Sequence, residues 1–359
     1  MSSMNSLERV VAAIKLEKPD RVPVTPLIIS RALRVLGYTT EQCLYDPEKM
    51  AEAKVASSEK FDDDSVVAGT DLFVEAECMG SKVTVYEHTP VVTEYFLKEK
   101  SDIDKLKVPN PETDGRMPFV CKEIEQIKQK IGDTRVVVPV TGGPVTQASQ
   151  LYGPEQLLIA MIEDPDWVHK LLRICTDTAL TYWNALIKAG AHAIVMLEPI
   201  SANTILSPEQ YDEFTAPYCK EVFENSWSQG VVGVNHICAD TSMIWDKMAS
   251  VGALGLQIDH VIDMADAKAA VGNKIAISGN VHPVDYMLYG TPEEVYWKSR
   301  EVIEKAANGS GFVLGSGCDL NPNTPEENIF AMIQAGKDAV YNDDLTVSFV
   351  QESHPRPEA

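Results

Sequence analysis

Long hydrophobic runs are missing from this chain. No stretch approaches the roughly 18 consecutive apolar residues of a membrane helix. The opening MSSMNSLERVVAAIKLEKPDR lacks the unbroken apolar block and small-residue cleavage site of a secretory leader, and it reads as a short amphipathic helix. Basic residues are scarce: 31 Lys and Arg stand against 53 Asp and Glu, a formal charge of -22. Such a surface repels phosphate backbones, so nucleic acid is not an expected partner, and neither is a membrane. The ordinary use of that acidity is solubility. Cysteine is also sparse, seven in 359 residues, which argues for free thiols in a reducing cytoplasm and against a disulfide frame. Cys43, Cys121, Cys175 and Cys219 fall in helical patterns and read as small buried hydrophobes.

Low-complexity linkers and short repeats are absent too. What recurs is a short apolar or β-branched run followed by a longer amphipathic segment. The runs are RVPVTPLI (21–28), DSVVAG (64–69), RVVVPVTG (135–142), AIVMLEP (193–199), VVGVNHI (231–237), ALGLQID (253–259), KIAISGN (274–280) and GFVLGSGC (311–318). Helix starts between them carry capping signals, as in Ser207-Pro208-Glu209-Gln210, Thr291-Pro292-Glu293-Glu294 and Thr324-Pro325-Glu326-Glu327. Strands alternating with helices predict an α/β fold, a (β/α)8 TIM barrel with an N-terminal helical extension. A doubly wound sheet would show a glycine-rich phosphate turn after its first strand, and none is there. VTVYEHTPVVTEYFL (83–97) predicts a β-hairpin excursion after the second strand. One catalytic domain is expected over residues 1–345, with a flexible tail over 346–359.

Barrel enzymes gather their chemistry at the C-terminal ends of the strands. Here those ends read Asp71, Thr141, Glu198, His236 with Cys238, Asp259, Asn280 and Cys318. In extended chain, residues i and i+2 point the same way, so His236 and Cys238 can converge on one ion. Cys318 ends the last run, near them across the mouth. One nitrogen and two sulfurs suit Zn²⁺, and three protein ligands leave a fourth position open, as in a catalytic site. A closed structural zinc site is the non-enzymatic alternative. Glu198, Asn280, Thr141 and Gln257 are expected to line the substrate pocket. The GGPVTQ turn is expected to offer backbone N–H groups to an anionic tail such as a sulfonate. Glu75 and Glu77 face either the mouth or solvent, and His260 and His282 read as loop residues.

At these residues the chain resembles the MtaA/CmuA-type zinc methyltransferases of the uroporphyrinogen decarboxylase superfamily. The likeness runs from about Leu7 to Val340 and includes ERVVAAIKLEKPDRVPV, GPVTQASQLYG, SGNVHPV and GSGCDLNPNTPEEN. Members carry an H-x-C…C zinc motif, matched by His236, Cys238 and Cys318. The decarboxylase's own arginine signature, RQAGR, is missing where this chain has TPLIISRALR; a substrate with eight carboxylates would want such arginines. The layout is also similar to that of cobalamin-independent methionine synthase, which adds a glutamate ligand where Asp259 stands here. Asp259 is therefore either a fourth ligand or a support behind the ligands.

The resemblance implies transfer of methyl from a methylcorrinoid to a zinc-bound thiol. The expected thiol is coenzyme M, with other small thiols and tetrahydrofolate as alternatives. No D-x-H-x-x-G corrinoid signature occurs, so a separate corrinoid protein is the expected partner and carrier of the donor. The alternatives are a substrate:corrinoid protein methyltransferase acting on methoxylated or methylamine compounds, and a decarboxylase.

Overall fold

A computed structural model describes residues 4–86 and 89–357. Eleven strands are assigned among them. Seven, β1 (Ser65–Ala68), β4 (Val136–Gly142), β5 (Ala193–Leu197), β6 (Val232–His236), β7 (Gly255–Gln257), β8 (Ala276–Val281) and β9 (Phe312–Ser316), form one sheet in the order β1-β4-β5-β6-β7-β8-β9. Every pairing in it is parallel. The expected excursion after β1 is the antiparallel hairpin of β2 (Lys82–Tyr86) and β3 (Thr89–Glu94).

The barrel's two apolar layers follow from strand alternation. Val67, Val138, Val195 and Leu197 point inward and pack with one another. Their neighbours Val66, Val137, Ile194 and Met196 point outward into the layer shared with the helices. The N-terminal helix Ser6–Ile14, started by a capping box between Asn5 and Glu8, lays Leu7, Val10 and Ile14 against the inward layer and closes the bottom of the barrel.

The eighth stave is not a regular strand. Residues 21–28 make only isolated bridges, Arg21 to Val340 and Val24 to Leu314, because Pro23 and Pro26 have no N–H to give a ladder. The segment still closes the circle. Thr25 N donates to Leu314 O (2.8 Å), Leu314 N to Pro23 O (2.9 Å), and Asp64 N to Val24 O (2.9 Å). Asp64, fully buried, completes the seam by accepting from Val24 N at 2.8 Å, Arg9 at 2.7 Å and Arg21 at 2.9 and 3.0 Å. One carboxylate thus replaces the ladder bonds that the prolines forbid.

Two of the three capping signals hold in the expected form, Ser207 with Gln210 and Thr291 with Glu294. Thr324 does not cap. The helix starts at Glu326 with Pro325 before it, the Thr324 hydroxyl is buried with no partner among the described residues, and the Thr324 carbonyl accepts from Arg31 Nε at 2.7 Å. Residues 346 onward, set apart by composition, supply β11 (Val347–Phe349), which pairs with β10 (Ala339–Tyr341). Further on, Ser353 Oγ donates to Asp338 at 2.6 Å and Pro355 O accepts from Trp297 Nε1 at 2.8 Å. None of the described helices is long and apolar enough to cross a membrane.

Removing Asp64 takes one of two carboxylate partners from the buried Arg9 and the carboxylate partner from the half-buried Arg21, and it opens the seam. Asp64→Ala is expected to cost about 3–5 kcal/mol, the usual penalty for breaking a buried ion pair from one side. Chemical denaturation measures it; a loss below about 1 kcal/mol would show that closure does not depend on this residue.

Candidate metal centre

β6 ends at His236, and the alternation of its side chains carries on past that end. Ile237 therefore turns into the outer apolar layer, while His236 and Cys238 face the mouth. Ala239 then takes a left-handed conformation (φ 67°) and gives its N–H to Asp259 Oδ2 at 2.9 Å, which ends the extended run directly after Cys238. Cys318 follows β9 through Gly317, where a Cβ would lie 2.6 Å from His260 N; only glycine lets the two loops approach this closely.

His236 Nε2 lies 3.2 Å from Cys238 Sγ, and the two sulfurs are 3.9 Å apart. All three donor atoms fall within 4.8 Å of one another. Ligands at zinc's usual bond lengths on a tetrahedron stand about 3.8 Å apart for two sulfurs and about 3.5 Å for nitrogen and sulfur, so the set fits that ion. The other imidazole nitrogen, Nδ1, sits 3.1 Å from Gln257 O, which orients the ring and leaves Nε2 for a metal. The Cys238 thiol donates toward Cys318 and, with His236 beside it, holds the Cys318 thiol well below its ordinary value. Cys238, bonded to that thiolate and buried, is pushed far above its ordinary value.

The trio opens onto a cavity of about 170 Å³. Leu27, Ile29, Leu72, Phe73 and Leu197 form its apolar wall, and Thr70, Asp71 and Asp319 contribute the polar groups. That volume lies below the roughly 300–1,000 Å³ of sites for drug-sized ligands.

The four residues expected to line the pocket do other work. Glu198 is fully buried, and its carboxylate accepts from Val145 N, Thr146 N and Thr146 Oγ1 at 2.9, 2.9 and 2.7 Å. It caps the helix Pro144–Tyr152 from the end of the neighbouring strand β5, so the GGPVTQ turn gives these amides to Glu198 and not to a ligand's anionic tail. Burial nevertheless raises Glu198 to about 7. Thr141 accepts from Trp183 Nε1 at 3.0 Å. Asn280 donates to Asp259 O (2.9 Å) and Ile262 O (2.7 Å), fixing the loop after β7. Gln257 serves through its backbone carbonyl, and its side chain faces the barrel interior below the site. Asp259, spent on Ala239 N, Val261 N and His260, stands outside the N,S,S group and supports the turn that carries Cys238.

Asp71, present in the sequence only as one strand end among several, lines the cavity. It is gripped from behind by Arg116, at 2.6 and 3.1 Å. Arg116, which also holds Glu77, comes from a loop far from any strand end, so sequence offers no pointer to it. Glu75 does not face solvent. It is 1% exposed, neither carboxyl oxygen has a hydrogen-bond partner among the described residues, and burial raises it from 4.5 to about 8.

A profile described as Uroporphyrinogen decarboxylase (URO-D) matches residues 5–339. The chain belongs to that family. It is 28% identical to the methylcobamide:CoM methyltransferase MtaA of Methanosarcina barkeri over 348 residues, 95% of this chain and 100% of that one. It is 26% identical to MtbA of Methanosarcina mazei, described in the same words, over 95% and 100% of the two chains. A uroporphyrinogen decarboxylase of Methylococcus capsulatus is 27% identical over 80% of this chain and 83% of its own. Among solved structures, a methyltransferase from Methanosarcina mazei superposes with a TM-score of 0.86 at 28% identity, over 93% of this chain and 98% of that one. A B12-independent methionine synthase from Shewanella, at 11% identity and a TM-score of 0.53 over 89% and 93% of the chains, shares the fold.

Two outcomes follow from the geometry. Protein loaded with zinc is expected to hold about one ion per chain. Cys238→Ala and Cys318→Ala are expected to lose it while keeping the wild-type circular dichroism spectrum; unfolding of both variants, together with unfolding of wild type on chelation, would mark a structural site. The second outcome concerns Glu75. Above its unfolded value the denatured chain releases the proton while the folded chain keeps it, so stability falls as pH rises from 4.5 toward about 8. Glu75→Gln has no proton to lose, so its denaturation midpoint should gain on wild type between about pH 5 and about pH 8. A constant gap across that range would refute the assignment.

Proposed function

We propose that the protein transfers a methyl group from a methylated corrinoid protein to a small thiol held at His236, Cys238 and Cys318, with zinc as the ion they bind. The observation that carries this reading is the opening of a one-nitrogen, two-sulfur donor set onto a small, mostly apolar cavity. Zinc bound there would keep a thiol ionised near neutral pH, where a free thiol, with a pKa of about 8.5, is mostly protonated.

The chain's own residues supply the rest. His236, oriented by the Gln257 carbonyl, and the two cysteines would hold the ion, and the cavity they border would admit the substrate sulfur. Leu27, Ile29, Leu72, Phe73 and Leu197 exclude water, so a thiolate there is poorly solvated and reactive. In the transfer, the sulfur's electron pair forms the new C–S bond to the methyl carbon. The Co–C pair stays on cobalt, taking Co(III) to Co(I), and the thiol proton leaves to solvent as the thiolate forms. The chain has no corrinoid signature of its own, which supports a separate carrier protein presenting the donor over the mouth.

The relatives' names give a cobamide and coenzyme M to those proteins, and coenzyme M is a small thiol of the class proposed here. The decarboxylase relatives are of similar identity, but a porphyrinogen exceeds a cavity of about 170 Å³, and no arginine or lysine lines it among the described residues.

Zinc-loaded protein given methylcobalamin and a small thiol is expected to form the methylthioether as methylcobalamin is consumed. Cys238→Ala and Cys318→Ala should slow this by roughly 100-fold or more. Absence of thioether from every thiol offered, with zinc demonstrably bound, would sink the proposal.

A further inference from the structure

The mouth carries apolar side chains that the cavity does not use. Ile205 follows β5, Met243 follows β6, Val261 follows β7 and Val284 follows β8, and all four are 41–66% exposed. Single exposed hydrophobic residues are ordinary on a protein surface, whereas a contiguous set marks a contact. These four form a set because their loops are tied together in strand order. Asn203 N donates to Asp240 O at 2.9 Å, and Met243 N donates to Asn203 Oδ1 at 3.1 Å, which joins the loops after β5 and β6. Ala239 N joins the loop after β6 to Asp259 in the next one. The rings of His260 and His282 stand 3.8 Å apart, and Asn280 donates to Ile262 O, which joins the loops after β7 and β8. Val284 N then donates to His282 Nδ1 at 3.1 Å. The result is an apolar arc along one half of the rim, with Cys238 in one of its loops.

The cavity is walled mostly from the other half. Leu27, Ile29, Ser30, residues 70–73 after β1 and Pro90 of the hairpin line it, and among the described residues the loops after β7 and β8 add nothing. Two reactants must meet at the sulfur, because the methyl carbon passes directly from cobalt to it. A corrin is a macrocycle of porphyrinogen size and exceeds a cavity of about 170 Å³, so the ring has to lie across the rim with cobalt above the sulfur. Its faces are hydrocarbon, and its edge carries neutral amides. The half of the rim beneath it must therefore be apolar, exposed and outside the thiol's own wall, as this arc is.

We propose that Ile205, Met243, Val261 and Val284 are the seat of the donor's corrin macrocycle, whose face rests on this arc while the thiol occupies the cavity on the β1 side. The proposal rests on the corrinoid-to-thiol reading of the same site. It adds that the ring itself is recognised, in free methylcobalamin as well as on a carrier protein.

Methylcobalamin is the probe, with the zinc-loaded full chain and coenzyme M or mercaptoethanol as thiol. Met243→Asp and Val261→Asp place a charge under the ring. Each is expected to lower kcat/KM for methylcobalamin by about tenfold or more, with the thiol's KM within about twofold of wild type and zinc content unchanged. Trp227→Asp, at an exposed apolar residue of the helix Ala216–Ser228 that leads into the far end of β6, is expected to leave both constants as they are. An active wild type whose kcat/KM for methylcobalamin survives both mouth substitutions overturns the inference and leaves thiol methylation standing. So does an equal loss toward thiol and methylcobalamin, or a wild-type dimer that Met243→Asp converts to monomer, which would make the arc a contact between copies. No thioether from wild type with either thiol overturns both readings. If the aspartates disturb the circular dichroism spectrum, Met243→Gln and Val261→Thr, which add polarity without charge, are expected to lose about threefold toward methylcobalamin together; full retention by that pair overturns the inference.

Discussion

Closure of the barrel depends on the buried carboxylate of Asp64, which binds two guanidinium groups and the amide of Val24 where prolines leave residues 21–28 unable to form a strand. The consequences run upward to the metal centre. Val24 bridges to Leu314 in β9, Leu27 N donates to Ser316 Oγ, and Ile29 N reaches Asp319 beside Cys318. Lys54 anchors the Ile29 carbonyl from behind. Cys318 is thus aligned with His236 and Cys238 by a segment that Asp64, Lys54 and backbone bonds to β9 hold in place.

The polar strand ends are mostly consumed in holding the mouth together. A barrel that sends six or so loops inward toward one point must satisfy their backbone groups away from water. Glu198 caps a neighbouring helix, Asp259 seizes the turn after Cys238, and Asn280 ties down the loop that carries Asp259. The cavity is walled by leucine, isoleucine and phenylalanine with the donor trio set into it. This suits nucleophilic sulfur chemistry, where desolvation raises reactivity, better than recognition of a polyanion, which needs fixed positive charge.

A family holding both decarboxylases and methyltransferases on one barrel illustrates how little the scaffold dictates. What bears on the chemistry in this chain lies at the mouth: a one-nitrogen, two-sulfur donor set and a small cavity with no lysine or arginine in its wall among the described residues.

The strand runs, the hairpin after β1 and the shared orientation of His236 and Cys238 were determined by sequence alone, because each is a local periodicity of two residues that any extended chain must obey. Proximity of Cys318 was legible only through the barrel, which predicts that strand ends converge without saying which side chains turn inward. That last step was decided by tertiary structure. Glu198, Asn280 and Thr141 sit at strand ends as expected, yet their partners come from distant segments, and those partners turn them away from the cavity. Arg116 and Asp64 show the same dependence: a lone charge in sequence has no stated role until folding supplies its counter-charge, and only long-range contact determines whether it builds the frame or meets the substrate.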